Sequence, residues 1–145
     1  MIVLAVDGNN QMFASNSSTW LARKSDGFAT HAIIGFLRSL RYYAKEFIPD
    51  MIIVVWDGGK SKVRMELCPE YKANRIVKER TPEEQLVYDA LITQTPIVKE
   101  MLGHLGVYQF QGFGIEGDDL LALVAQTTAK RKDKCVIVSN DTDFL

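Results

Sequence analysis

Cysteine and histidine are scarce in this sequence, and no sign of charge prevails. Cys68 and Cys135 are the only cysteines, too few for a disulfide framework or a cysteine zinc knuckle. His31 and His104 stand apart on helical patterns and read as surface or hydrogen-bonded core residues rather than ligands. No apolar run approaches the roughly 18 residues of a membrane span. The opening run Ile2-Val3-Leu4-Ala5-Val6 is too short for a signal peptide and lacks its basic lead-in. A reduced, intracellular protein is therefore expected, with no membrane partner. With 24% charged residues against 47% hydrophobic, disorder over most of the length is excluded. The 145 residues suit one domain. Gly58-Gly59 reads as a turn, because the Lys60-Ser61 that follows lacks the upstream spacing of a phosphate-binding loop.

What the chain does have is an alternation of short apolar runs and helical patterns. Ile2–Val6, Met51–Trp56, Val107–Phe110 and Cys135–Ser139 are strand candidates. Three of them are rich in Val and Ile with little alternation, as in parallel strands covered on both faces. Ala32–Phe47 places Ile33, Leu37, Leu40, Ala44 and Phe47 on one helical face. Thr81-Pro82-Glu83-Glu84 is a capping box with proline at the first helical position. The helix it opens should bury Leu86, Leu91 and Ile92, meet a boundary or kink at Pro96, and resume to about His104 before Gly106 stops it. A further helix should run from near Glu116 to about Lys130. Trp20, Trp56 and Phe36 read as core. Strands alternating with helices imply an α/β domain with a mostly parallel central sheet.

Carboxylates mark the ends of these runs. Asp7 follows the first strand and Asp57 the second, while Asp141 and Asp143 follow the fourth. Glu116, Asp118 and Asp119 open the last helix, after the loop that leaves the third strand. In an open parallel sheet the ligand crevice lies beyond the carboxyl ends of the strands, so all seven acids map to one edge. Singly, each is an ordinary turn, cap or helix-dipole residue. Together they repel, by roughly 4 kcal/mol for two unit charges 4 Å apart at an effective dielectric near 20. Cations among them would relieve this, and oxygen ligands without nearby His or Cys suit Mg²⁺ or Mn²⁺. Two such ions are the machinery of in-line displacement at a phosphate. Helical spacing puts Glu116 and Asp119 on one face and Asp118 on another, so Asp118 is expected to serve a different ion from its neighbours.

Without those seven acids, the rest of the chain carries +6. The basic excess gathers in Lys60, Lys62, Arg64, Lys72, Arg75, Lys78 and Arg80, with Tyr71 among them. Cations interleaved with an aromatic suit a surface that tracks the backbone and stacks the bases of a single-stranded nucleic acid.

Five segments, in order, resemble the 5′-3′ exonuclease/flap endonuclease family, in its bacteriophage 5′ nucleases and the 5′ nuclease domain of bacterial DNA polymerase I. They are Val6-Asp7-Gly8-Asn9-Asn10, Trp56-Asp57-Gly58-Gly59, Pro69-Glu70-Tyr71-Lys72-Ala73-Asn74-Arg75, Glu116-Gly117-Asp118-Asp119 and Ser139-Asn140-Asp141-Thr142-Asp143. The resemblance implies a PIN-like fold and a structure-specific nuclease of replication and repair, acting on DNA with a 5′ end or flap in the cytoplasm of a bacterial or phage-infected cell. It implies that Asp7, Asp57, Glu116, Asp118, Asp119, Asp141 and Asp143 are metal ligands, direct or through water. It makes Lys72 and Arg75 the catalytic cations on the scissile phosphate, at the base of a helical arch spanning about residues 60–95. Gly117 stands where the family motif usually has Ala.

The family also continues beyond this sequence, with two further acids and a helix-hairpin-type element that grips duplex DNA. Residues 1–145 are thus expected to be the N-terminal catalytic domain, with the C-terminal DNA-binding part absent or supplied by a second chain. Two other functions are compatible with the residues. One is a PIN-type ribonuclease acting on RNA; the other is a fragment that binds single strands or a partner without cleaving. A phosphomonoesterase with an aspartyl nucleophile is disfavoured, because it needs a second acid at position 9, which is Asn.

Overall fold

The computed structural model describes residues 1–16, 22–23, 25–59, 66 and 80–140. Along them run β1 (Ile2–Asp7), α1 (Gly8–Asn16), α2 (His31–Phe47), β2 (Met51–Trp56), α3 (Pro82–His104), β3 (Tyr108–Gln111), α4 (Gly117–Lys130) and β4 (Lys134–Val138). The strands form one sheet in the order β3-β2-β1-β4, and every neighbouring pair is parallel. All strand carboxyl ends therefore lie along one edge.

The apolar runs of β1 and β2 are buried on both faces, as expected of central parallel strands. Leu4, Val6, Val54 and Trp56 point into a core shared with Met12 of α1, Phe36 and Leu40 of α2, and Val98 and Leu102 of α3. The alternate residues Val3, Ala5, Ile53 and Val55 face Leu121 of α4 on the other side. Trp56 stacks on Phe36 with ring centroids 6.0 Å apart. β4, at the edge of the sheet among the described residues, also packs on both faces, Val136 and Val138 on one core and Cys135 and Ile137 on the other, but these residues are only half-buried.

α1 has no counterpart in the sequence reading. Its buried face is Gly8, Met12, Ser15 and Asn16, in which Met12 is the one large apolar side chain, so there is no apolar stripe. It is seated because Gly8 lacks a side chain: a Cβ there would lie 2.6 Å from the Trp56 ring.

The capping box of α3 forms with both of its bonds, Thr81 Oγ1 accepting from Glu84 N–H and Glu84 Oε2 accepting from Thr81 N–H. The rest of this helix departs from expectation. It runs unbroken through Pro96, and it buries Ala90, Gln94, Val98 and Leu102 at four-residue steps. Leu91 is half-buried, but Leu86 and Ile92 are 60% and 54% exposed. A buried polar seam decides this face. Gln94 Oε1 accepts the N–H groups of Ala32 and Ile33, which the first turn of α2 would otherwise leave without partners. Asn16 joins the same seam, accepting from His31 Nε2 at 2.8 Å and donating to the Val87 carbonyl at 2.8 Å. His31 is thus a core residue, whereas His104 is exposed. Among the described residues no helix is long and apolar enough to cross a membrane.

Phe36→Ala should lower the unfolding free energy by about 3–5 kcal/mol in urea titrations, as cavity-forming core truncations do. Leu123→Ala, at a position 58% exposed, should change it by less than about 0.5 kcal/mol.

Candidate active site

Three separate segments bring acids to the carboxyl edge of the sheet. Asp7 closes β1 and is 8% exposed, with Oδ1 accepting the Asn10 N–H at 2.9 Å and Oδ2 accepting the Ser139 hydroxyl at 3.4 Å. Burial raises the Asp7 pKa above the ordinary 3.8, and the charges of Asp57 and Asp118 push it further in the same direction. The Asn10 N–H and the Ser139 hydroxyl pull the other way, by bonding the ionised form. Asp57 and Asp118 are therefore both near enough for their charges to act on Asp7.

Asp57 follows β2 and is held at several points. Its N–H donates to Asn9 Oδ1 at 2.9 Å, and its Oδ1 accepts the Gly117 N–H at 2.6 Å. The turn beyond it explains how the last acids arrive. Gly58 N–H donates to the Ile115 carbonyl at 2.9 Å, and Gly114 N–H donates to the Gly58 carbonyl at 2.8 Å. A Cβ at Gly58 would lie 1.5 Å from the Gly112 carbonyl oxygen, so only glycine lets these two loops touch. The contact delivers the start of α4 to Asp57. At Gly117 a Cβ would lie 2.8 Å from Asp57 Oδ1, so Ala in that place would require the carboxylate to move.

Glu116 is buried at 5% exposure, but it precedes α4 as its N-cap, in an extended conformation with φ −80° and ψ 151°. Glu116 and Asp119 are thus the N-cap and the third residue of α4 rather than two residues inside it. The acid expected to point elsewhere, Asp118, is the one whose charge reaches Asp7. Among the described residues, no three His, Cys, Asp or Glu side chains are grouped closely enough to hold an ion between them. Asp141 and Asp143 lie outside the described residues, although Asn140 N–H reaches Asn10 Oδ1 at 3.2 Å and fixes the chain just before them. Lys60, Lys62, Arg64, Tyr71, Lys72, Arg75 and Lys78 also lie outside the described residues. The guanidinium of Arg80 sits 3.8 Å from the centroid of the Tyr88 ring, on the first turns of α3.

Uncharged polar residues are what the sequence reading passed over. Asn9, Asn10, Gln111 and Ser139 each bond an acid or the backbone beside it. Asn9-Asn10 could have been suspected, since it lies just beyond Asp7 and Gly8 at the end of a buried strand. Gln111 carried no comparable signal.

A family model described as "5′-3′ exonuclease, N-terminal resolvase-like domain" matches residues 2–145. The chain belongs to this family. It is 31% identical over 140 residues to a 5′-3′ exonuclease of Aquifex aeolicus, covering 97% of this chain and 45% of that protein. Similarity to a Bacillus subtilis 5′-3′ exonuclease is also 31%, over 147 residues, with 99% and 46% covered. A DNA polymerase I of Streptococcus pneumoniae is 26% identical over 147 residues, with 99% of this chain and 16% of the polymerase covered. Among solved structures, the 5′-exonuclease of bacteriophage T5 with bound zinc superposes with a TM-score of 0.78 at 27% identity, covering 99% of this chain and 51% of that one. The T5 flap endonuclease in a pseudo-enzyme-product complex with DNA and metal ions gives 0.77, also at 27% identity, with 99% and 50% covered. This member of the 5′-3′ exonuclease family spans about half the length of the exonucleases it matches. Its parallel sheet with flanking helices is the PIN-like, resolvase-like architecture that the sequence resemblance implied.

The raised pKa of Asp7 makes a prediction for the metal-free protein. Between 3.8 and the higher folded value, the native state holds a proton that the unfolded chain releases, so stability falls as pH rises through that window. Asp7→Asn, which keeps an oxygen for the Asn10 N–H, should therefore be more stable than the parent at pH 7 in EDTA. That gain should vanish as pH falls below 3.8, which urea midpoints across pH would show.

Proposed function

We propose that this chain is the N-terminal catalytic domain, residues 1–145, of a divalent-metal-dependent 5′-3′ exonuclease/flap endonuclease that hydrolyses DNA in replication or repair. The observation that carries this is the placement of Asp7, Asp57 and Asp118, drawn from distant segments to one edge of a parallel sheet, where a buried Asp7 carboxyl lies within reach of the other two charges. The donors are carboxylate oxygens without a neighbouring His or Cys candidate, which fits a hard cation such as Mg²⁺ or Mn²⁺. Asp7, Asp57, Glu116, Asp118 and Asp119, joined by Asp141 and Asp143, would hold it, with two ions in the complete protein. A divalent ion so held supplies a lowered pKa for bound water and polarisation of the phosphoryl oxygens.

The protein's own share is positioning. Asn10 N–H and Ser139 bond Asp7 and favour its ionised form, while Gly117 N–H pins one oxygen of Asp57 at the positive end of α4. Lys72 and Arg75 would offset charge developing on the scissile phosphate. The basic segment from Lys60 to Arg80 would guide the 5′ strand, as part of an arch over about residues 60–95. DNA with a 5′ single-stranded end or flap is the proposed substrate, and the bacterial or phage-infected cytoplasm the proposed location. Support comes from the T5 flap endonuclease complex, which contains DNA and metal ions, and from the polymerase relatives.

One observation favours a second reading. Among the described residues no three acids are grouped closely enough to hold an ion, and a fragment that binds single strands and is completed by a second chain is compatible with that. RNA as substrate is distinguished by the same assay.

With matched 5′-flapped DNA and RNA, cleavage of DNA should require Mg²⁺ or Mn²⁺ and stop on adding EDTA. Asp7→Asn and Asp57→Asn should each slow it about 100-fold or more, equivalent to several kcal/mol of transition-state stabilisation. Unchanged rates in both variants would exclude the mechanism. Binding without cleavage at millimolar Mn²⁺ would favour the fragment reading, and faster cutting of RNA the ribonuclease.

A further inference from the structure

β3 is a four-residue edge strand, Tyr108-Gln109-Phe110-Gln111, and its period of two turns both glutamines to the same side. Each bridges α3 to the end of β2. Gln109 Oε1 accepts from Trp56 Nε1 at 3.0 Å, and Gln109 Nε2 donates to the Lys99 carbonyl at 2.9 Å. Gln111 Oε1 accepts from Lys99 Nζ at 2.9 Å, and Gln111 Nε2 donates to the Asp57 carbonyl at 2.8 Å. An ammonium only donates and a carbonyl only accepts, so the Gln111 amide has a single satisfactory orientation between them. Lys99 is itself fixed, half-buried with its Nζ 4.6 Å from the centroid of the Trp56 ring.

Asp57 needs such restraint. It lies beyond the last strand residue, before Gly58-Gly59, where Gly59 has φ +105° and the backbone has wide freedom. Asn9 of α1 bonds its N–H, Gly117 of α4 bonds its carboxylate, and Gln111 of β3 bonds its carbonyl. Three elements thus act on three different groups of one residue. We propose that Gln111, oriented by Lys99, is a positioning residue that fixes the Asp57 peptide and so aims its carboxylate at the metal. The inference rests on the metal-site reading given under Proposed function. Because Lys99 belongs to α3, the seat of that helix is tied to the Asp57 peptide through the Gln111 amide, beside the Gln109 bridge from the Lys99 carbonyl to Trp56.

The test is Mn²⁺ affinity of the full chain, measured from the electron paramagnetic resonance signal of free Mn²⁺, alongside thermal melting. Gln111→Ala should weaken Mn²⁺ binding about fivefold, the scale of one net hydrogen bond, with the melting temperature unchanged. Lys99→Met should shift it in the same direction, and Lys99→Arg, which still donates to Oε1, should restore it. Tyr108→Ser, on the same strand but facing away, should have no effect. Asp57→Asn serves as the reference for loss of the site. If Asp57→Asn weakens binding while Gln111→Ala and Lys99→Met do not, the positioning role is overturned and the metal site stands. If Asp57→Asn also binds Mn²⁺ like the parent, both fall. A lowered melting temperature in Gln111→Ala, with no rescue by Lys99→Arg, would reduce the amide to a structural tie and overturn the proposal. Should Gln111→Ala fail to fold, the Lys99→Met and Lys99→Arg pair decides the matter.

Discussion

The burial of one carboxyl beside two others is the constraint around which the acid edge is arranged. Asp7, Asp57 and Asp118 sit close enough for two of them to raise the pKa of the third, and Asp7 is largely withdrawn from water as well. A fold that does this spends stability on proximity. The cost is offset in part by hydrogen bonds to the ionised form, from the Asn10 N–H and the Ser139 hydroxyl. The parallel register makes the arrangement possible, since β1, β2 and β4 all end at the same edge.

The means of holding the acids in place are mostly uncharged. Asn9 and Asn10 open α1 and tie the ends of β2 and β4 to that of β1. Gly58 lets the loop before α4 approach to a distance that no other residue would permit, and Gly117 lets the helix amide reach the Asp57 carboxylate. These contacts turn three flexible strand exits into one surface. They also connect the acid edge to the interior, through Trp56, which packs on Phe36 below and carries Lys99 above. The buried seam of Asn16, His31 and Gln94 does the same for the helices, locking α1, α2 and α3 against each other. Membership in the 5′-3′ exonuclease family is in keeping with a scaffold that places acids before anything else.

Much of this was legible in the residue order. Apolar runs bounded by acids, a capping box at Thr81 and helical periodicity in residues 32–47 depend on neighbours a few positions apart, and these local patterns survive folding unchanged. Strand ends shifted by one residue and no more: β3 starts at Tyr108 instead of Val107, and β4 starts at Lys134. The acid edge followed as well, because strand direction in an alternating α/β chain leaves few alternatives.

Contacts between distant segments were not legible. α1 carries no apolar stripe, so nothing in Gly8–Asn16 announced a helix; its seat is a gap above the Trp56 ring. Pro96 does not break α3, and Ile92 faces outward because it lies two residues, about 200° around the helix, from the Gln94 that satisfies α2; Leu86 shares the buried row of Ala90 and Gln94 but is 60% exposed near the start of the helix. That the charge of Asp118 reaches Asp7 was likewise not given by its spacing from Glu116 and Asp119. Short-range chemistry along the chain thus named the strands, the acids and the family. Which acid meets which, and which amides hold them, depended on long-range packing that pairs residues some fifty to one hundred and thirty positions apart, as with Gln111 and Asp57 or Ser139 and Asp7. No local pattern encodes such pairs, since each partner's role exists only once the other has arrived.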